Sequence, residues 1–371
     1  MTRMSRAKRL VPAAIAGCAL ALTVALPTAG AATIKLPKSG VETPSSGTVS
    51  ETGSSLLYPL FNLWVPGYNT TYSQLTIQTA STGSGTGITD ASNGTADIGA
   101  SDAYLSTSEL QATPTLENIP LAISAQIIEY NVPGVTAHLK LSGKLLSQIY
   151  QGNVTTWNNA AIAKLNPGVT LPNIPIVTLH RADSSGDTFL FSSYLSKATP
   201  SGWGTKLSYN TTIAWPNVQG ALAETGNSGM VAGCKATAGC IAYVGISYLT
   251  QVLQNAQNYA ELQNASGQYV LPSQGSIAAE AASFANKTPA SGTISLIYGP
   301  AKQGYPDINY EYAIVNTKQA TTSTAKNVRS VLEWAVNPKL GNSSTYLTPV
   351  NFQPLPSKVE ANSIKQILKI K

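Results

Sequence analysis

The chain has 371 residues, 43% of them hydrophobic and 11% charged. That length allows two or three domains around a large core, and the composition excludes a disordered chain. Arg3, Arg6, Lys8 and Arg9 carry most of the net charge of +6; past residue 31 there are 19 basic and 17 acidic residues, which excludes a global basic field for nucleic acid.

Residues 1–31 read as a secretory signal peptide: a basic start, an apolar run from Leu10 to Leu26, then Ala29-Gly30-Ala31, with cleavage expected after Ala31. Pro27 and small residues end the apolar run short of the about 20 residues of a membrane span. Ile15-Ala16-Gly17-Cys18 also reads as a lipoprotein box, which makes Cys18 an alternative point of lipid attachment. Residues 32–47 read as a flexible linker, within a stretch to Ser50 rich in Ser, Thr, Pro, Gly and Lys. Export permits disulfides, and Cys234 and Cys240 are the only cysteines past the signal. With no histidine near and about four ligands required for zinc, they predict a small disulfide loop.

In the mature chain, Ser54-Ser55 leads into an apolar helix-like run through Trp64, with Pro59 tolerable in its first turn. Leu75 to Thr79 alternates like a strand, and Ser81 to Gly87 then opens a short helix-like run to Asn93-Gly94. That Gly-rich loop is neither GxGxxG nor a Walker loop, so it reads as a backbone cradle for an anion. Ala96 to Ala103 follows as a strand with Asp102 at its C-terminal end, where ligands of open α/β sheets gather. Leu121 to Asn131 is an apolar strand, and Lys144–Tyr150 and Asn158–Leu165 are helices. The strand Ile174 to Leu179 then runs into His180-Arg181-Ala182-Asp183-Ser184-Ser185-Gly186-Asp187 and a helix from Thr188 to Ser196. Strand, Ser/Gly turn and helix present backbone N–H groups to an anion, and Arg181 adds a planar cationic fork. A polar loop that caps its helix, with Asp187 favouring the N-terminal dipole, accounts equally for the stretch from His180 to Phe189. Gly226–Gly233, Ile246–Leu262, Ser276–Ala285 and Ser323–Ala335 read as helices, the last with Ser323 as N-cap; Ile241–Val244 and Tyr310–Val315 read as strands. Alternating strands and helices argue for α/β architecture with mostly parallel sheets. Ser54-Ser55, Ser84-Gly85 and Ser185-Gly186 each precede a helix, so three Ser/Gly helix starts and one arginine are available to converge on a small oxyanion.

These residues resemble the phosphate-binding protein of the ABC-type phosphate importer. The resemblance runs from about Thr52 to the C-terminus and rests on Ala96 to Asp102, on Ile149-Tyr150-Gln151-Gly152 through Trp157 to Asn166-Pro167-Gly168, and on Arg181 to Asp187. It implies a two-domain α/β fold of the type II periplasmic-binding-protein kind, with a hinge and a ligand cleft. Domain I would be 48–121 plus 306–371 and domain II 122–305. The family's binding residues map onto Ser55, the N–H of Leu56, Ser84, the acceptor Asp102, Arg181, Ser185 and Gly186. Asp187 stands where some members have Thr, and Asp183 would orient Arg181. The resemblance implies no catalytic residue, metal or cofactor. It implies a monomer, exported to the periplasm or outer envelope face, whose partners are inorganic phosphate and the importer's membrane permease subunits.

Two competing functions have weaker residue support. A secreted phosphatase needs a nucleophile with a base or two metals, and the chain has only His138 and His180 with no metal-spaced cluster. A binder of another tetrahedral oxyanion such as sulfate conflicts with Asp102, because an ionised carboxylate only accepts hydrogen bonds and sulfate brings no proton near neutral pH.

Overall fold

The computed structural model describes residues 40–371; the signal segment, Cys18 and residues 32–39 lie outside the described residues. Strand β1 (Gly47–Gly53) is followed by α1 (Tyr58–Asn69), β2 (Leu75–Ser81), α2 (Ser84–Asn93), β3 (Ile98–Ser101) and α3 (Thr107–Ala112). The long β4 (Leu116–Asn131) leads to β5 (Lys140–Leu141), α4 (Gly143–Tyr150), α5 (Ala160–Leu165), β6 (Val177–Arg181) and α6 (Gly186–Ala198). Next come α7 (Thr205–Leu207), β7 (Leu222–Glu224), α8 (Gly226–Ala236), β8 (Cys240–Gly245) and α9 (Leu249–Gln254). Short strands β9 (Asn258–Tyr259), β10 (Glu261–Gln263) and β11 (Tyr269–Val270) precede α10 (Gln274–Phe284). The chain closes with β12 (Ile308–Asn316), α11 (Thr322–Val336), α12 (Ser344–Leu347) and α13 (Ser357–Ile367).

The main sheet has the order β2-β1-β3-β12-β4-β8-β6-β7, with β9 also on β4. It is mixed, not mostly parallel. Pairs β1–β2, β1–β3, β6–β8 and β6–β7 are parallel. Strand β12 runs antiparallel to β3 and β4, and β4 antiparallel to β8. The reason is β4, which at 16 residues pairs β12 with its first part and β8 with its second. It is buried along nearly its whole length, so no alternation of buried and exposed positions reveals its direction.

Local chemistry sets the helix starts. Ser106 and Glu109 form a capping box at α3, Asn159 caps α5 through the N–H of Ala161, and Ser185 caps α6. Thr321, not Ser323, caps α11 by accepting from the N–H of Thr324 at 3.0 Å. The expected helix over Ile246–Leu262 stops at Gln254: Ala256 takes a left-handed backbone (φ 57°), and the following residues become strands β9 and β10, paired with β4 and β5. No Gly or Pro marks that turn. The end of the expected flexible linker is also anchored: Val41 is buried, and Glu42 pairs with Arg329 of α11. Cys234 and Cys240 form a disulfide that joins the end of α8 to the start of β8. Among the described residues no helix is long and apolar enough to cross a membrane. The core beneath β6 and α6 is aromatic: Phe191 stacks on Tyr243 at 4.7 Å, and Trp215 lies against the same ring at 5.8 Å.

Candidate functional site

The loop between β6 and α6 carries the only buried arginine–carboxylate cluster of the described residues with both acids within six positions. Arg181 ends β6, and its backbone N–H donates to the Tyr243 hydroxyl at 2.8 Å. Its Nε donates to Asp183 Oδ1 at 2.7 Å, its Nη2 to Asp183 Oδ2, and its Nη1 to Asp187 Oδ2 at 2.6 Å. Burial opposes the charge of this guanidinium, but Asp183 and Asp187 more than offset that and hold it protonated. Burial also opposes ionisation of Asp183, but Arg181 holds its carboxyl below the usual range. Burial pushes Asp187 up despite Arg181, Gln126 and Asn227. Its carboxylate does not point away from the cluster, since Gln126 Nε2 and Asn227 Nδ2 also lie within 3.3 Å and 2.8 Å of it.

The second element is the helix start at Ser185-Gly186. Ser185 Oγ accepts from the N–H of Thr188 at 3.4 Å. A Cβ on Gly186 would lie 2.3 Å from Asp102 Oδ2 and 2.5 Å from Ser84 Oγ, so only glycine lets these three segments meet. Asp102, just past β3, accepts from Ser54 Oγ and, at 3.3 Å, from Ser84 Oγ. Burial raises its carboxyl to about 7, helped by the charge of Asp187 and opposed by hydrogen bonds from Glu311 and Ser54 and by Arg181. Gly83 precedes α2 at φ 94°, and its missing side chain leaves room for Asp183 Oδ2.

The third element is the segment before α1. Ser54 Oγ, not Ser55, accepts from the N–H of Leu57. Ser55 Oγ instead accepts from Asn227 N at 3.1 Å and from Asn227 Nδ2 at 2.9 Å. Asn227 Oδ1 takes the N–H of Gly245 at 2.8 Å, so one amide links Ser55, Asp187 and β8. Leu56 is buried, packs into the space left by Gly245, and its carbonyl accepts from Ser247 Oγ at 2.8 Å.

All eight assigned residues thus fall in one connected buried network. Within it, the N–H groups of Ser55, Leu56, Gly186 and Asp187 have no hydrogen-bond acceptor among the described residues. Helix starts leave such N–H groups without an intrahelical partner, and these four are available to an acceptor from outside the protein. Sequence reasoning missed Asn227 and Gln126, and named Ser54 only together with Ser55 as a helix start. Asn227 had a faint signal, since Thr225-Gly226 opens α8 much as Ser185-Gly186 opens α6. His180 lies against Trp215 with ring centroids 5.0 Å apart and offers Ser185 no hydrogen bond. No group of three or more His, Cys, Asp or Glu side chains among the described residues is arranged to hold a metal.

Comparison with known proteins identifies the fold and the family. Residues 39–339 match the model of the PBP superfamily domain. The chain is 35% identical over 329 residues to a phosphate-binding protein PstS of Xylella fastidiosa, covering 88% of this chain and 85% of that one. It is 32% identical to the phosphate-binding protein PstS of Pasteurella multocida, covering 85% and 89%. In three dimensions it resembles a high affinity periplasmic phosphate-binding protein solved with phosphate bound, with a TM-score of 0.69 at 22% identity over 85% of this chain and 92% of that one. A phosphate-binding protein of Stenotrophomonas maltophilia gives a TM-score of 0.64 at 19% identity over 86% and 94%. The fold is therefore the mixed α/β, type II fold of periplasmic binding proteins, and the chain belongs to the PBP superfamily and, within it, to the family of PstS phosphate-binding proteins.

Proposed function

We propose that this protein captures inorganic phosphate and delivers it to the membrane permease of an ABC-type importer, without making or breaking a covalent bond. The observation that carries this reading is the set of four buried N–H groups without a protein acceptor, at Ser55, Leu56, Gly186 and Asp187, beside a guanidinium held charged. A carboxylate sits in the same place: Asp102 lies against Ser84 and Gly186. Facing phosphate it accepts the P–O–H, while facing sulfate it meets only lone pairs, at a cost of about 1–3 kcal/mol or more. The ligand contacts are Ser55, Leu56, Ser84, Asp102, Arg181, Ser185, Gly186 and Asp187, with Asp183 orienting Arg181.

The cleft lies between a lobe of residues 48–121 plus 306–371 and a lobe of 122–305, joined through β4 and β12. The protein works as an exported monomer, released by cleavage after Ala31. Its relatives' names describe binding proteins, which supports capture over turnover. Calorimetric titration with phosphate, sulfate and a phosphate ester tests the reading. One phosphate per chain, recovered unchanged and not displaced by sulfate, is expected. Tight sulfate binding overturns the role of Asp102, and release of phosphate from the ester at enzyme-like rates overturns the whole reading.

A further inference from the structure

Asp307, just before β12, and Asn309 and Glu311 within it put polar residues at alternate positions, and all three are buried. Asn309 pairs with Ser124 of β4, and Glu311 with Ala122, just before a bulge where the register shifts. On its other side β12 pairs Tyr312 with Ser101, so the next step of that antiparallel register brings Glu311 beside Asp102.

The oxygen contacts around Ser124 give a proton count. Ser124 Oγ lies 2.6 Å from Asn309 Oδ1 and also contacts Glu311 Oε1. Asn309 Nδ2 faces Tyr310 O at 2.8 Å, Glu311 Oε1 at 3.0 Å and Asp102 O at 3.3 Å. Those three acceptors fix the amide orientation, so its Oδ1 faces Ser124. Ser124 has one proton for two oxygen contacts, and the second must come from Glu311. Glu311 Oε2 has no hydrogen-bond donor, and no ion pair of the described residues includes Glu311. A buried carboxylate in that setting would be unpaired, while a carboxylic acid is not.

We propose that Glu311 is a proton-holding residue beneath the anion site: it stays un-ionised next to Asp102, leaves Asp102 free to act as the ionised acceptor, and sets the alkaline limit of phosphate capture. The proposal rests on the phosphate reading above. Burial drives the Glu311 carboxyl up, and the neighbouring Asp102 adds to it. The titratable groups that face it are Asp102 and Tyr312; Asp187 and Arg181 act on Asp102 in turn. Ser124 and Asn309, its other neighbours, carry no charge. As pH rises, Glu311 loses its proton, the pair gains a second negative charge, and an incoming anion is repelled.

The test is phosphate affinity from mildly acid to alkaline pH for the parent and for Glu311→Gln, whose amide keeps the shape and a donor but cannot ionise. Below the titration of the pair the two proteins should agree within about threefold; above it the parent should weaken relative to the variant by up to about tenfold per pH unit. A ratio of affinities that does not change with pH overturns the proposal. Should the variant not fold, the parent alone decides by proton uptake, read from binding heats in two buffers of different ionisation enthalpy. Phosphate itself can take up one proton, so uptake above one per phosphate at alkaline pH supports the proposal and one or fewer overturns it. A folded parent that binds phosphate at no pH removes the phosphate reading and this proposal with it.

Discussion

Replacing Gly186 by alanine isolates the meeting of the helix start with Asp102 and Ser84. Gly186 is not in the left-handed region, so alanine fits its backbone. Alanine in a helix interior is favoured by about 1 kcal/mol over glycine, so the local element gains or is unchanged. What alanine meets is across the site. Its Cβ would lie 2.3 Å from Asp102 Oδ2, 2.5 Å from Ser84 Oγ and 2.6 Å from Asp102 Cβ. Ser84 Oγ can rotate, but Asp102 Cβ is fixed by the backbone and Asp102 Oδ1 is held by Ser54. The start of α6 must therefore move off Asp102 by roughly 1 Å, at an overpacking cost of about 1–3 kcal/mol. At about 1.4 kcal/mol per decade that is about 5- to 150-fold in phosphate affinity. Calorimetric titration measures it, and melting with and without phosphate separates binding from folding. The expected result is a cooperative fold whose melting temperature rises less with phosphate than the parent's. Affinity within about twofold of the parent would refute the claim that these segments meet around the ligand.

Arg181→Ala should abolish tight binding and also destabilise the fold by about 3–5 kcal/mol, because it leaves Asp183 and Asp187 buried without their cation; Arg181→Lys should recover the charge but not the fork, and parent-like binding by the alanine variant would remove Arg181 from the site. Asp187→Thr removes a carboxylate that raises Asp102, so the loss of phosphate affinity with rising pH should shrink while sulfate stays excluded; identical pH profiles would remove Asp187. Burial raises Glu51 to about 8 against a hydrogen bond from Thr79, so its contribution to stability is complete below its ordinary range and is lost as pH rises through about 8. Glu51→Gln should therefore raise the melting temperature relative to the parent most at alkaline pH, and a pH-independent difference would refute this. Opening the Cys234–Cys240 bridge should cost at or below about 3 kcal/mol, read from denaturant melts of the reduced and oxidised protein, because the closed loop is short.

How much of this was legible in the sequence depends on how local each contact is. The helix starts at Ser84 and Ser185 were readable because Gly, Ser and a following apolar run are adjacent along the chain. Ser54 and Ser55 were readable as a pair but not in their roles, since both are serines and only the fold separates a cap from a partner of Asn227. Asn227 itself was not readable as a site residue. Its partners Ser55, Asp187 and Gly245 come from three separate stretches. The continuation of the helix past Gln254 failed for a related reason: the residues there pair with β4 and β5, and that tertiary demand outweighs a helical period. Strand direction failed because a fully buried strand such as β4 has no alternation to read.

The strands that join the two proposed lobes also explain why so many carboxyl groups surround an anion site. From β4, Gln126 Nε2 reaches Asp187, and Ser124 reaches Glu311. From β12, Asn309 Nδ2 reaches the carbonyl of Asp102, and just before that strand Asp307 feels the charge of Asp187 and of Lys197. Burial drives the Asp307 carboxyl well up, and neither of its oxygens has a hydrogen-bond partner, so it too is held as an acid. One guanidinium could not balance Asp102, Asp183, Asp187, Asp307 and Glu311 together with an incoming anion if all five were ionised. It can do so when Asp307 and Glu311 keep their protons. The acids near the site then divide by support: Asp183 is ionised because Arg181 holds it, and Asp307 and Glu311 are neutral because no cation pairs with them. Asp102 and Asp187 lie between these limits, because burial raises both and Arg181 opposes the rise at each.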